Sequence, residues 1–128
     1  MKCLDTSFCV DFLRGNSEAV ELVKHLDKAG EQLVLPGPVL VELLPGPFSR
    51  GGPALAQSLA FVANLEVVPV TAEIALDAAR LGGDCLRAGH PQDPIDLLIA
   101  STSRSLGCAV ISRDKDFASM PGVMLATY

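Results

Sequence analysis

Short β-like runs alternate along this sequence with stretches of helical periodicity, and that alternation restricts the fold more than any other feature. Cys3-Leu4 begins a short strand that ends at Asp5. Phe8 to Arg14 reads as a helix stopped by Gly15. Ser17 is placed to cap a second helix that runs to Ala29 and stops at Gly30. Leu33-Val34-Leu35 is a strand, and Pro38 to Leu44 is a short helix that Pro45-Gly46-Pro47 ends. Pro53 to Asn64 is helical, and Glu66 to Val70 is a strand. The segment Thr71 to Ala88 carries Ile74, Ala78, Leu81 and Cys85 on one side. Glu73, Asp77, Arg80, Asp84 and Arg87 lie on the other, which is the pattern of a half-buried helix. Pro94 to Leu106 is a further helix with Ile95, Leu98, Ile99 and Thr102 turned inward. Ala109 to Ser112 is a strand, and Val123 to Ala126 a last one. Strands separated by helices build a parallel α/β sheet covered on both faces. In such sheets the ligand site lies off the carboxyl ends of the strands.

A length of 128 residues fits a single domain spanning 1–128 with one hydrophobic core. Apolar residues are 49% and charged residues 20%, a globular composition rather than a disordered one. No run of about 18 uncharged apolar residues is present to cross a membrane. Met1 to Asp5 lacks the apolar core and cleavage site of a signal peptide, so a cytoplasmic location is expected. The cysteines at 3, 9, 85 and 108 have no CxxC spacing, and Cys3 and Cys108 read as small buried hydrophobes. The net charge of −5 argues against a general nucleic-acid binder, because phosphate neutralisation needs Lys and Arg. That objection weakens if several acids hold cations, since each divalent ion cancels two charges.

Several acids sit where a ligand site belongs. Asp5 follows the first strand, and Asp114 and Asp116 follow the strand that ends at Ser112. Asp is common in loops after strands, so neither segment is decisive alone. Glu42 is the only charged residue between Gln32 and Ser49, among Val39, Leu40, Val41, Leu43 and Leu44. A helix so apolar on nearly every side is expected to be mostly buried, and its carboxylate then needs a cation, a donor or an open cleft. Asp93 precedes Pro94 and is a natural helix cap. Asp96 suits the first helical turn, and it also shares a face with the small residues Ala100 and Ser103, which leaves room beside it. Asp96 is therefore read as a site residue and Asp93 as its cap. Clustered carboxylates repel unless a cation sits among them. Hard oxygen ligands suit Mg²⁺ or Mn²⁺, ions that activate water and bind phosphoryl oxygens. The combination points to phosphodiester hydrolysis.

Leu4-Asp5-Thr6-Ser7, Val41-Glu42-Leu43-Leu44-Pro45-Gly46, Asp96-Leu97-Leu98-Ile99-Ala100-Ser101 and Ile111-Ser112-Arg113-Asp114-Lys115-Asp116-Phe117 occur in that order. Together they resemble a PIN domain, and more narrowly the VapC-type toxins. The resemblance spans nearly the whole chain. It implies a three-layer sandwich with a central, mainly parallel sheet. It also implies a metal-binding catalytic pocket of Asp5, Glu42, Asp96 and Asp114, with Ser7, Ser112 and Asp116 as secondary pocket residues. Ser112 stands where Thr is more usual, which keeps the hydroxyl. The implied activity is metal-assisted attack of water on RNA, without a covalent enzyme intermediate. The implied partners are a cognate antitoxin and a second copy of the chain.

Arg14, Arg50, Arg113 and Lys115 lie in or near loops expected to rim the pocket. Arg14, Arg113 and Lys115 are the candidate RNA contacts. His25 and His90 read as surface residues with no acid–base role. Two other functions fit part of the pattern. A PIN fold can bind RNA or protein without cutting it. A phospho-accepting receiver domain has a similar sheet, but it needs an Asp after a middle strand, and Leu35 and Val70 have none beside them.

Overall fold

The computed structural model describes all 128 residues. β1 (Lys2–Leu4) is followed by α1 (Thr6–Leu13) and α2 (Ser17–Lys28). β2 (Leu33–Pro36) leads to α3 (Gly37–Leu43), α4 (Pro45–Arg50) and α5 (Gly52–Ala63). β3 (Glu66–Val68) leads to α6 (Ala72–Arg87) and α7 (Pro94–Leu106). β4 (Ala109–Ile111), α8 (Asp116–Ser119) and β5 (Leu125–Ala126) complete the order.

The strands form one sheet in the order β3-β2-β1-β4-β5, and every pairing is parallel. The chain walks from β1 outward to β3, then returns through α6 and α7 to β4 on the other side of β1. Right-handed crossovers put α1, α2 and α5 on one face and α6 and α7 on the other. Accordingly Phe12 of α1 meets Phe61 of α5, with ring centroids 5.2 Å apart, while α6 packs along α7. The reversal of direction between β1 and β4 opens a crevice at their carboxyl ends. Asp5 and Ser112, which directly follow those two strands, therefore face each other.

The central strands are buried on both sides, and so read as apolar runs. Cys3, Leu4, Val34, Leu35, Val110 and Ile111 join Phe8, Leu81, Ile99 and Phe117 in one core. Cys3 and Cys108 are buried, as expected of small hydrophobes, and so are Cys9 and Cys85; none is paired. Ile74, Ala78, Leu81 and Cys85 form the buried stripe of α6, and the Thr71 hydroxyl caps it by accepting from the Ile74 amide at 3.1 Å. Gly82 lets α6 approach α7 closely, since a Cβ there would stand 2.9 Å from Leu97 Cδ1. On α7, Ile99 and Thr102 are fully buried and Ile95 and Leu98 partly so; Gly107 ends it with φ 63°, in the left-handed region. No helix is long and apolar enough to cross a membrane.

Several local expectations need correction. Asn16, not Ser17, caps α2, accepting from the Ala19 amide at 3.0 Å. Pro45-Gly46-Pro47 ends α3 but also begins α4, because proline's missing N–H costs nothing in a first helical turn. β3 stops at Val68, where Pro69 has no N–H to continue the ladder. Glu42 is exposed rather than buried, and its neighbour Val41 is 70% exposed. Only Pro38, Val39 and Leu43 of α3 are buried, so its apolar outer face lies on the surface.

Candidate active site

The crevice between β1 and β4 is built around one carboxylate. Asp5 is the last residue before α1 and is buried. Its backbone amide donates to Ile111 O at 3.3 Å, which ties it to the end of β4. The hydroxyls of Ser7 and Ser112 both donate to Asp5 Oδ2, each at 2.6 Å. The two hydroxyl oxygens are 3.5 Å apart. A buried carboxylate needs such donors to remain charged. Both act on Oδ2 and leave Oδ1 uncommitted by side chains.

Ser112 does a second task. Its Oγ accepts from the Asp114 amide at 2.9 Å, so one hydroxyl joins Asp5 to the turn that carries Asp114. Asp114 Oδ1 in turn accepts from the Asp116 amide at 2.9 Å. Asp116 thus meets the site through its backbone at the start of α8, and its side chain is exposed. On the other flank, Thr6 donates to Glu42 Oε1 at 2.7 Å. That bond brings a residue of α3 to the start of α1, next to Asp5. Sequence reasoning passed over Thr6 as a site residue, although it stands between Asp5 and Ser7 in the first motif.

Asp96 enters from the first turn of α7 and is half-buried. Burial pushes its pKa up to about 7, helped by the negative charges of Asp5, Asp114, Asp93 and Glu42. The charges of Asp5, Glu42 and Asp114, from three other segments, thus reach Asp96. Ala100 and Ser103, on the same face of α7, are fully buried. Their small size lets α7 settle against its neighbours, and the face opens only at Asp96. Asp93 is the cap expected of it, with Oδ1 accepting from the Ile95 amide at 2.8 Å. Asp93→Ala should cost about 1 kcal/mol of stability through that lost cap. A thermal melt should show the loss, while the activity of the site survives in part. Unchanged melting with abolished activity would mean that Asp93, rather than Asp96, serves the site.

The donor set is hard oxygen throughout, which suits a divalent cation such as Mg²⁺ or Mn²⁺. No three of the acids stand close enough together in this structure to hold a metal ion as they are. Holding an ion would need the acids to draw together around it, with the ion keeping several of its own waters. Arg14 and Lys115 are exposed at the ends of their elements, and Arg50 is exposed at the end of α4. Arg113 differs, because it pairs with Glu18 and lies 3.8 Å from Asp11. His25 and His90 are exposed, as expected.

Comparison with known proteins agrees with this geometry. The family model for the PIN domain matches residues 2–123. Ribonuclease VapC19 of Mycobacterium tuberculosis is 34% identical over 103 residues, 80% of each chain. Among solved structures, VapBC2 from Rickettsia felis, bound to a DNA fragment from its promoter, superposes with a TM-score of 0.87 at 20% identity, covering 99% of this chain and 98% of that one. VapBC-5, a toxin–antitoxin system member from Mycobacterium tuberculosis, superposes with a TM-score of 0.69 at 28% identity, covering 98% and 95%. With a parallel sheet of this order, an acidic crevice at its switch point and a family match over most of its length, the chain belongs to the PIN-domain family, in the group of the VapC proteins.

Proposed function

We propose that this protein is a metal-dependent endoribonuclease, the toxin of a toxin–antitoxin pair, and that Asp5, Glu42, Asp96 and Asp114 hold one or two Mg²⁺ or Mn²⁺ ions. What supports this reading is the hydrogen-bond network that links Asp5 through Ser112 to the Asp114 turn, with Thr6 beside Asp5 bonded to Glu42, and the effect of these acids' charges on Asp96. The likeness to ribonuclease VapC19 supports RNA as substrate. When bound, the ion supplies an activated water and charge stabilisation at the phosphate.

The chain's own residues do the rest. Ser7 and Ser112 fix the rotamer of Asp5 by donating to its Oδ2. Thr6 fixes Glu42, and the Ser112 hydroxyl sets the turn that presents Asp114. Asp96, whose pKa burial and the neighbouring acids raise to about 7, would have to shed its proton to serve as a metal ligand. The crevice hydroxyls of Ser7, Ser112 and Thr6 are taken up in holding Asp5 and Glu42, and no nucleophile triad is present, so direct attack by water is the reaction assigned here.

The partners are inferred from charge and kinship. The VapBC neighbours are toxin–antitoxin systems, and we assign this chain an antitoxin whose tail covers the acidic crevice. A homodimer would double the exposed Arg14 and Lys115 along an RNA backbone, which one subunit of net charge −5 serves poorly. Val41 and Phe48, 70% and 58% exposed, offer apolar surface for such pairing. The free cysteines suit the cytoplasm, where the RNA substrate is found.

The test is incubation of the chain with structured RNAs in Mg²⁺, in Mn²⁺ and in chelator. Discrete shortening of RNA with either metal, and none in chelator, is the expected result. Retarded but full-length RNA under every condition would favour a binding module instead.

A further inference from the structure

Arg113 lies between Ser112 and Asp114, yet its guanidinium is taken up by groups outside the acidic cluster. Its central carbon stands 4.6 Å from the centre of the Tyr128 ring. It pairs with Glu18, at the start of α2, and its Nε is 3.8 Å from Asp11 Oδ2. That same Oδ2 accepts from the Tyr128 hydroxyl at 2.5 Å. The Tyr128 ring meets Phe8 edge-on, with centroids 5.0 Å apart and planes at 84°. Phe8 is fully buried and directly follows Ser7. Tyr128 lies two residues past the last register pair of β4 and β5, Ile111 with Ala126, and so beside the exit of β4.

The geometry points to a clasp of Arg113, Asp11 and Tyr128 that positions the Ser112–Asp114 turn, and through it the Asp5 and Asp114 carboxylates. Ser112 is bonded on one side to Asp5 and on the other to the Asp114 amide, so a small rotation of this turn disturbs both acids at once. The side chain between them is stacked and paired, and Asp11, one of its anchors, belongs to α1, whose first turn supplies Ser7. The clasp therefore braces the two hydroxyls that hold Asp5 against each other. Burial and the bond to Asp11 push the Tyr128 phenol up from its ordinary value. A planar guanidinium is needed, because an ammonium cannot stack on the ring and reach both carboxylates at once. These residues are positioning residues, not RNA contacts. The effect on cleavage rests on the ribonuclease reading, and the effect on the turn does not.

The test uses the full chain with Tyr128→Phe, which keeps the ring, and Arg113→Lys, which keeps the charge. Asp11→Asn, which keeps an acceptor, serves as a third variant should either fold poorly. Amide hydrogen exchange at Asp114 is measured without metal, and RNA cleavage with Mn²⁺. Exchange at Asp114 should quicken about tenfold in each variant, the scale of one lost hydrogen bond. kcat should fall about three- to tenfold with KM and salt dependence unchanged, and Lys at 113 should not rescue it. Wild-type exchange at Asp114 in Tyr128→Phe and Arg113→Lys would overturn the clasp. So would an Arg113→Lys enzyme of normal kcat, or variants whose only defect is a raised KM and a flatter salt dependence. A wild-type chain that cuts no RNA would end the ribonuclease reading, and the exchange rates would still decide the clasp.

Discussion

Asp5→Asn is expected to lower RNA cleavage by about three orders of magnitude, the scale of losing a cation that stabilises several kcal/mol of transition-state charge. The same substitution should leave the melting temperature of the metal-free chain unchanged or raise it. The amide is isosteric, and its oxygen can still accept from Ser7 and Ser112, which now donate to Asp5 Oδ2. What disappears is the negative charge, the second cause after burial of the raised pKa of Asp96. Relief of that repulsion favours the folded state. Single-turnover cleavage and thermal melts of one preparation check both halves. A drop in melting temperature large enough to unfold the chain at the assay temperature would attribute the lost activity to folding instead.

The chain without metal should lose stability as pH rises from about 4 through about 7, the interval over which Asp96 titrates. Unfolded, Asp96 releases its proton near its ordinary value of 3.8; folded, it keeps that proton up to about 7. Between those values the folded state binds the extra proton. Its contribution is therefore complete below the unfolded value and gone above the folded one. Divalent cation affinity should move the opposite way, rising about tenfold per pH unit below 7 as the ligand must shed its proton. Melts at pH 5.5, 7 and 8.5, with and without Mn²⁺, should show metal stabilisation growing with pH. Asp96→Asn should flatten both trends. Stability that rises through this interval in the metal-free chain would contradict the placement of Asp96 among the acids.

Much of this architecture was legible because α6 and α7 announce themselves. Ile74, Ala78, Leu81 and Cys85 keep strict helical spacing, and Asp93-Pro94 marks a helix start that tertiary packing leaves intact. The acids at strand ends were legible for a similar reason, since every strand of a parallel sheet delivers its next residues to the same edge. Glu42 was misjudged because apolar composition does not reveal which side of a short helix faces water; Val41 and Phe48 are apolar and exposed. Asn16 and Ser17 are both good caps, and only the backbone geometry chooses between them. The four-residue α8 is too short to carry a period. Tyr128 and Asp11 lie 117 positions apart and meet only because β5 joins the sheet beside β4. No local pattern could pair them.

Asp5, Glu42, Asp96 and Asp114, from four segments, are proposed to serve one metal centre and one reaction. That proposal is tested most directly by titrating chelator-treated protein with Mn²⁺ while measuring single-turnover RNA cleavage, for wild type and for Asp5→Asn, Glu42→Gln, Asp96→Asn and Asp114→Asn. Wild type should be inactive in chelator and recover fully as Mn²⁺ is added. Every variant should either fail to recover or need at least about tenfold more Mn²⁺ for half-maximal rate, the usual scale for a lost or disturbed ligand contact. Undiminished cleavage by wild type in chelator, or any one of the four variants cleaving at the wild-type rate with the wild-type need for Mn²⁺, would contradict a shared metal centre.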